Sequence, residues 1–232
     1  MQGMHGPGSK WADRVVALAL ALTAFVVYLL TLSRGVFPGE SARLVVTHAG
    51  LFPRSTASFP LWTAVVGLLD GLPAGSLSAR LNVFSAVCGA LVTGVLYLLM
   101  QRALYFTIDK DIVNPDRAAA ASRLGGLVCA LFLMFSIPFW VVSNRAHHAS
   151  LDLLLLMGIA WLLFWFVRTG RWAAALLFAL VYGVGITEFA TLIIMAPLLG
   201  GALVFAAWRH GRLSAGFIMA LVGCALAGLS VY

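Results

Sequence analysis

Glu40 is the first side chain whose position suggests chemistry, because it is the single acidic residue of the stretch SRGVFPGESARLVV. A carboxylate in a binding site can take a proton from a reacting hydroxyl, as a general base does. Pro38 and Gly39 precede Glu40 and favour a turn that would fix the direction of its side chain. A glutamate here would also suit the first turn of a surface helix, where the helix dipole favours negative charge. The residues alone leave both interpretations open.

Arg145 lies in a short polar turn, SNRAHHASLD, between two apolar runs. The planar guanidinium of an arginine binds phosphate through paired hydrogen bonds, so Arg145 is the best candidate for an anion contact. An anchor at the membrane surface, or an ion pair with Asp152, is the alternative. The neighbouring His147 and His148 would point about 100° apart on a helix, so they cannot readily share a metal ion. We therefore predict no metal site.

Two further acids, Asp152 and Glu188, each stand just inside an apolar run. An ionisable side chain at membrane depth is costly, so we expect both to face a watery cavity or a polar partner rather than lipid. A position among the lipid headgroups, or pairing with Arg145, is the alternative. Three basic side chains of the loop after the first run could bind anionic headgroups or a phosphate, with ordinary snorkelling as the alternative. These are Arg43, His48 and Arg54.

Composition identifies the class of protein that positions these residues. Of 232 residues, 62% are hydrophobic and 10% are charged, and the mean hydropathy is +1.01. A soluble domain is less apolar, so the sequence predicts an all-α, polytopic membrane protein without a large soluble domain. The net charge of +7 does not indicate nucleic-acid binding, because the basic residues are scattered at the ends of apolar runs.

About seven apolar runs are candidates to cross the membrane as helices. A shorter segment, Pro60 to Leu72, is expected to form a helix that lies in or dips into the membrane surface, with Asp70 at its end or in a turn. The fifth run is short and, with Gly183, Gly185 and Glu188, resembles a broken helix near a site. The predicted crossings are Val15–Leu32, Ala79–Leu104, Leu124–Val142, Ser150–Val167, Trp172–Ile186, Phe189–Trp208 and Ala215–Tyr232.

Basic residues at the ends of the runs predict the orientation. One set of connections holds Lys10, Arg14, Arg102, Lys110, Arg117, Arg123, Arg168, Arg171, Arg209 and Arg212, and the opposite set holds only Arg34, Arg43, Arg54, Arg80 and Arg145. We therefore predict that the N-terminus is cytoplasmic. Residues 1–14 would form a cytoplasmic tail and residues 15–232 a single transmembrane helical domain. The loop over residues 33–80, which contains Glu40, would then lie on the outer face.

Several motifs carry a resemblance to a known family. PGES, SFPLW and RLNVFSA occur in order between residues 38 and 99, and FSIPFWVVSNRAHHASLDLLLL and YGVGITEFATLIIMAPLLG follow. The pattern resembles a bacterial family of multi-spanning membrane proteins of unknown function. That family is related to the endoplasmic-reticulum O-mannosyltransferases that act on plexins, within the GT-C glycosyltransferases. The matching residues are Gly39, Glu40, Phe59, Pro60, Leu61, Arg80, Asn82, Ser85 and Ala86, whereas Phe37 and His147 stand where the family has acids.

The resemblance implies a GT-C-like fold and a membrane glycosyltransferase. Such an enzyme would move a sugar, mannose or another hexose, from a polyprenyl-phosphate donor to a hydroxyl of a protein or glycan acceptor. The reaction would take place on the outer face of the bacterial inner membrane, among membrane lipids. The resemblance names no cofactor besides the lipid-linked donor and leaves a metal requirement open. Glu40 would be the general base and Arg145 the contact for the donor phosphate. The further substrate-binding candidates would be Arg43, Arg54, His48, Asp152 and Glu188.

Two other classes of protein also fit the sequence. Acids near the outer face suit an ion or proton pathway in a secondary transporter, although the chain shows no obvious internal repeat of the kind that many transporters have. A truncated or non-catalytic relative of the glycosyltransferases is the third interpretation, because the last run reaches Tyr232 without a hydrophilic segment after it. Donor-dependent transfer would support the enzyme, and electrogenic uptake would support the transporter.

Overall fold

The structure is a computed structural model of the chain, and it describes residues 10–48, 51, 59–71, 73, 75–108 and 113–230. The side chains of Lys10 and His48 are outside the description as well. Within the described residues all regular structure is helical, which confirms the predicted all-α class. The helices are α1 (Lys10–Leu30), α2 (Glu40–His48), α3 (Pro60–Asp70), α4 (Leu77–Thr107), α5 (Pro115–Phe135), α6 (Ile137–Ser143), α7 (Ala149–Thr169), α8 (Trp172–Glu188), α9 (Thr191–Arg209) and α10 (Ala215–Leu229).

Five of these helices, α1, α4, α5, α7 and α9, are long and apolar enough to cross a membrane. The fifth and seventh predicted crossings correspond to α8 and α10, which are apolar but shorter, with 17 and 15 residues. The α3 helix has 11 residues and occupies the segment for which the sequence predicted a helix too short to span. The pattern is that of a polytopic membrane protein.

The third predicted crossing, Leu124–Val142, is wrong as a single helix. α5 ends at Phe135, and Ser136 takes an extended conformation with ψ 130°. Pro138 explains the break, because it has no N–H for a helical hydrogen bond and its ring would clash with the carbonyl of Met134. The chain starts a new short helix, α6, with this proline in its first turn.

The start of α5 also lies well before the predicted Leu124. Asn114 caps the helix, because its side chain accepts a hydrogen bond from the N–H of Asp116 at 2.9 Å. Pro115 fits the first helical position, where no N–H is needed, and the acid that follows is favoured by the helix dipole. The Asn-Pro-Asp stretch is therefore a helix start that precedes the apolar run.

The expectation of a broken helix at Gly183 and Gly185 is wrong, because α8 continues without interruption to Glu188. Gly183 instead allows a close contact between helices. A Cβ atom at this position would lie 2.2 Å from the carbonyl oxygen of Ala225, and one at Gly228 would lie 2.2 Å from a carbonyl oxygen of α8. These two glycines let the backbones of α8 and α10 touch.

The chain divides into two compact units, of which the first comprises Met1–Ser41 and Leu81–Ser150. Its core joins α1, α4 and α5 through buried apolar side chains, Ala17, Leu20, Tyr97 and Ala130. Tyr28 of α1 is fully buried, and its hydroxyl donates to the carbonyl of Met134 at 3.1 Å. Helix α1 begins at Lys10, so it includes the last residues of the segment that the sequence predicts to be a cytoplasmic tail.

The second unit comprises Ala42–Arg80 and Leu151–Tyr232. Its core is formed by α7 to α10, and the rings of Phe166 and Phe217 stack at 6.0 Å within it. The short α3 helix packs against α8. The single domain over residues 15–232 stays a prediction.

Candidate functional site

Glu40 is the first residue of α2 and follows a turn that contains Pro38 and Gly39. Gly39 has φ 92°, in the left-handed region that glycine adopts without a steric penalty, so the turn predicted from these two residues is present. The half-buried Glu40 side chain lies in the first turn of α2, at the positive end of the helix dipole. The alternative read from the sequence, a first-turn acid, therefore describes where Glu40 lies. Its role as a base stays a prediction.

Arg145 places its guanidinium over the ring of Phe37, with the Cζ atom 4.5 Å from the ring centroid. This is cation–π geometry, which holds the side chain without neutralising its charge. Among the described residues, the Nε atom of Arg145 is buried and has no hydrogen-bond partner. A buried N–H without a partner is costly, and a bound anion would supply the missing acceptor.

Asn82 connects two segments of the first unit that are far apart in sequence. Its side chain is buried, with 1% exposure. The Nδ2 group donates to the carbonyl oxygens of Ser33, at 2.8 Å, and Gly35, at 3.4 Å. The Oδ1 atom accepts from the N–H of Ala146 at 2.6 Å. One side chain thus binds both the segment that follows α1 and the turn that follows α6.

Two neighbouring contacts reinforce this connection. The N–H of Ser33 donates to the carbonyl of Asn144 at 3.0 Å, and the Oγ of Ser85 accepts from the N–H of His147 at 3.3 Å. Asn82 and Ser85 lie one turn apart on α4, so a single rigid helix supplies both side chains. We call the following residues the Asn82 junction: Ser33, Gly35, Asn82, Ser85, Ala146 and His147.

His147 is held as a neutral imidazole. Its Nδ1 atom accepts a hydrogen bond from the N–H of Ala149 at 3.1 Å, at the start of α7. Burial, together with electrostatic repulsion from His148 and Arg145, lowers the pKa of His147 to about 4. The proton of the neutral ring therefore resides on Nε2. No group of three or more His, Cys, Asp or Glu side chains that could hold a metal occurs among the residues that the structure describes.

Glu188, in the second unit, holds the start of α3. Its side chain is 4% exposed, and its Oε1 atom accepts from the backbone N–H groups of Leu61 and, at 3.2 Å, Trp62. The proline that begins α3 has no N–H, and the N–H of Thr63 donates to the carbonyl of Phe59 at 2.9 Å. All the N–H groups of the first helical turn therefore have partners, which helix starts otherwise lack.

Arg80 binds the other end of α3. Its Nη1 atom donates to the carbonyls of Leu69 and Asp70 at 2.9 and 2.8 Å, and its Nη2 atom lies 3.4 Å from Oδ1 of Asp70. The carbonyls at a helix C-terminus carry partial negative charge, so a guanidinium there is stabilising. Asp70 is the last residue of α3, as the sequence predicted.

The other residues that the sequence suggested for substrate binding differ in exposure. Asp152 is 7% exposed and lies in the first turn of α7. Its side chain is therefore buried, as that of Glu188 is. Arg43 is exposed on α2. Arg54 and the side chain of His48 are outside the described residues. The substrate-binding roles of these residues stay predictions.

The sequence interpretation gave Asn82 no role beyond its match to a motif. The available signal was an amide side chain inside an otherwise apolar run, because a buried amide needs hydrogen-bond partners. The partners themselves could not be read from the sequence, since they lie 47 to 64 positions away.

The comparison with known proteins settles the family. The model of the Protein O-mannosyl-transferase TMEM260 N-terminal domain matches residues 40–212, well over half of the chain. The chain belongs to the TMEM260 N-terminal domain family. The match begins at Glu40 and includes Asn82, Arg145 and Glu188, and it confirms the predicted relation to O-mannosyltransferases. The bacterial family of unknown function stays a prediction.

A curated relative is consistent with membership of the TMEM260 N-terminal domain family. The chain is 26% identical over 160 residues to Protein O-mannosyl-transferase TMEM260 of Mus musculus, an alignment that covers 65% of this chain and 20% of the relative. The chain thus spans about a fifth of the length of the mouse protein. No solved structure gives a significant match.

Proposed function

We propose that this chain is the membrane part of a glycosyltransferase that moves mannose or another hexose from a polyprenyl-phosphate donor to an acceptor hydroxyl. Two findings support the proposal: the family relation to O-mannosyltransferases and the set of apolar helices that would hold a lipid-linked donor. The basic residues at the helix ends favour a cytoplasmic N-terminus, so the reaction would take place on the outer face of the membrane.

Arg145 provides the observation that carries this proposal. Its guanidinium keeps its charge on the Phe37 ring and, among the described residues, retains a buried Nε without a hydrogen-bond acceptor. A donor phosphate would supply that acceptor and would gain a cation that stabilises the charge it develops on leaving. In the proposed step the acceptor oxygen bonds to the anomeric carbon as the bond from that carbon to the phosphate oxygen breaks. The hydroxyl proton passes to Glu40.

The test uses the full chain purified in detergent with polyprenyl-phosphate hexoses and an acceptor peptide or glycan, and it measures the released lipid phosphate. Glu40→Gln keeps the size of the side chain but cannot accept the proton, so release should fall by about 10²-fold. Arg145→Gln should raise the KM for the donor by at least about tenfold, because one charge-assisted hydrogen bond to the phosphate is lost.

Asp116→Asn is the matched control for Glu40→Gln. Asp116 is also an acid in the first turn of a helix, so its replacement removes the same dipole interaction without touching the proposed site. Release by this variant should equal that of the wild type. Equal release by Glu40→Gln and the wild type would show that Glu40 is only a first-turn acid. An absence of donor-dependent release by the wild type would remove the glycosyltransferase proposal and favour a non-catalytic relative.

A further inference from the structure

We propose that Asn82 is a positioning residue, which holds the segment that leads to Glu40 against the turn that carries Arg145. The consequence for catalysis rests on the proposed function, whereas the connection between the two segments does not. Asn82 itself would touch neither the donor nor the acceptor.

The chemistry of the amide makes asparagine suited to this task. A side-chain amide offers N–H donors on one side and a carbonyl acceptor on the other. Asn82 uses the donors on the carbonyls of Ser33 and Gly35 and the acceptor on the N–H of Ala146. An aspartate would keep only the acceptor, and a leucine would keep neither. Only a side chain with both functions can bind the two segments at once.

Burial makes the connection strong. Asn82 is 1% exposed, so water cannot replace a lost partner, and a buried backbone group left unsatisfied costs more than an exposed one. Asn82 belongs to α4, a regular helix of 31 residues. The segment and the turn, in contrast, are irregular at Ser33 and Ala146, so no helical hydrogen bonds fix their carbonyl and N–H groups. The Asn82 junction therefore determines the position of the segment after α1 relative to the turn after α6.

The backbone groups that Asn82 binds are close in sequence to Glu40 and to Arg145. Gly35 is bound to Asn82, and the chain continues from it through Phe37 to Glu40. Ala146 directly follows Arg145, whose guanidinium rests on the same Phe37 ring. Movement of either segment would change the position of one group relative to the other. Misplacement by about 1 Å can lower a reaction rate by about 10²-fold.

Hydrogen–deuterium exchange of the purified protein tests the connection without any substrate. The reporters are the backbone N–H groups of Ser33, which donates to Asn144, and of Ala146, which donates to Asn82. In Asn82→Leu both N–H groups should exchange about threefold to tenfold faster. In Asn82→Asp, measured at about pH 8 where an aspartate is ordinarily ionised, Ala146 should stay protected and Ser33 should exchange faster.

Kinetics with the lipid-linked donor test the catalytic consequence. Asn82→Asp should lower kcat by at least about tenfold, because the segment that leads to Glu40 is released. It should raise the donor KM less than Asn82→Leu does, because the turn that carries Arg145 keeps its bond to the side chain at position 82 and loses only the support of the Phe37 ring. Asn82→Leu should lower kcat and also raise the donor KM, because the Arg145 turn is released too. A purely structural loss of folded protein would lower kcat in both variants without this difference in KM.

Thr93→Val is the matched control. Thr93 is a fully buried polar residue of the same helix, and its hydroxyl bonds to the Gly89 carbonyl within α4 at 3.0 Å. Its loss should affect stability but neither reporter N–H nor the KM.

Three outcomes decide between the explanations. Unchanged exchange at Ser33 and Ala146 in Asn82→Leu would overturn the positioning role. Faster exchange with kcat and KM at wild-type values would overturn it as well, because the connection would then have no effect on the reaction. If the wild type is inactive, the proposed function fails, and the connection between the segments is judged by the exchange pattern alone.

Discussion

Two buried polar side chains of this protein, Glu188 and Asn82, form hydrogen bonds with backbone groups of other segments. The depth of Glu188 in an apolar run predicts a watery cavity or a polar partner, and one of its oxygens accepts hydrogen bonds from the first N–H groups of α3. Asn82 uses its whole amide on three backbone groups. Both residues are costly to bury alone, so the backbone partners explain how an apolar core accommodates them.

His147 gives a prediction of pH dependence at the residue scale. Its pKa is about 4 in the folded protein and about 6.5 in an unfolded chain. Between these values the unfolded state binds more protons, so stability should fall as the pH decreases from about 6.5 towards 4. The melting temperature measured in detergent across this pH range should show the loss.

The control for this prediction is His147→Asn. Its Oδ1 atom lies in the same covalent position as Nδ1 and can accept the N–H of Ala149, but it does not titrate in this range. The variant should be folded at pH 7 and should lose less stability on acidification than the wild type. Equal acid sensitivity of the two proteins would contradict the assignment to His147.

At the scale of elements, α3 is held at both ends by charged side chains of opposite sign. An isolated helix of 11 residues is marginal in water. The Glu188 carboxylate binds the N-terminal N–H groups and the Arg80 guanidinium binds the C-terminal carbonyls. Each charge complements the dipole at its end. Glu188 and Arg80, which belong to the same unit as α3, thus fix the position of this helix.

Replacement of Glu188 tests this account. In Glu188→Ala the N–H groups of Leu61 and Trp62 should exchange with deuterium about tenfold faster, because they lose a charge-assisted acceptor. Glu188→Gln keeps an acceptor oxygen with the same reach and should restore much of the protection. Tyr182→Phe is the matched control, since it removes a hydrogen bond from α8 to the Leu192 carbonyl, at 2.7 Å, and leaves α3 untouched. Equal exchange in Glu188→Ala and Tyr182→Phe would refute the holding role.

The sequence predicts elements well where one strong signal decides them. Apolar runs predict the regions of α1, α4, α7 and α9, and a shorter apolar segment predicts α3. The third run was misjudged because its apolar side chains continue past Pro138, whose backbone ends α5 whatever the hydropathy. The start of α5 was missed because Asn114 acts through a cap rather than through apolarity. Contacts between distant segments, as at Asn82, leave no local pattern to read.

At the scale of the whole molecule, the pairing of α8 with α10 shows how a chain of apolar helices gains specificity. Membrane helices have little hydrophobic preference for one another over lipid, so close backbone contact is a main source of their attraction. Gly183 and Gly228 provide this contact in the second unit, since a Cβ at either would lie 2.2 Å from a backbone oxygen of the other helix. Backbone atoms cannot rotate away as a flexible side chain can.

Gly228→Ala should therefore push α10 away from α8 and lower the free energy of unfolding by about 1–3 kcal/mol, measured as a lower melting temperature in detergent. Gly223→Ala is the matched control on the same helix, because no atom of the described part of the chain lies within 4 Å of its added Cβ. By helix propensity alone, alanine is better than glycine by about 1 kcal/mol, so the control should be neutral or more stable. The two substitutions are chemically identical and differ only in what the new methyl group meets. A Gly228→Ala protein as stable as Gly223→Ala would mean that α8 and α10 do not pack backbone to backbone, and the tight contact would have to be abandoned as the source of their pairing.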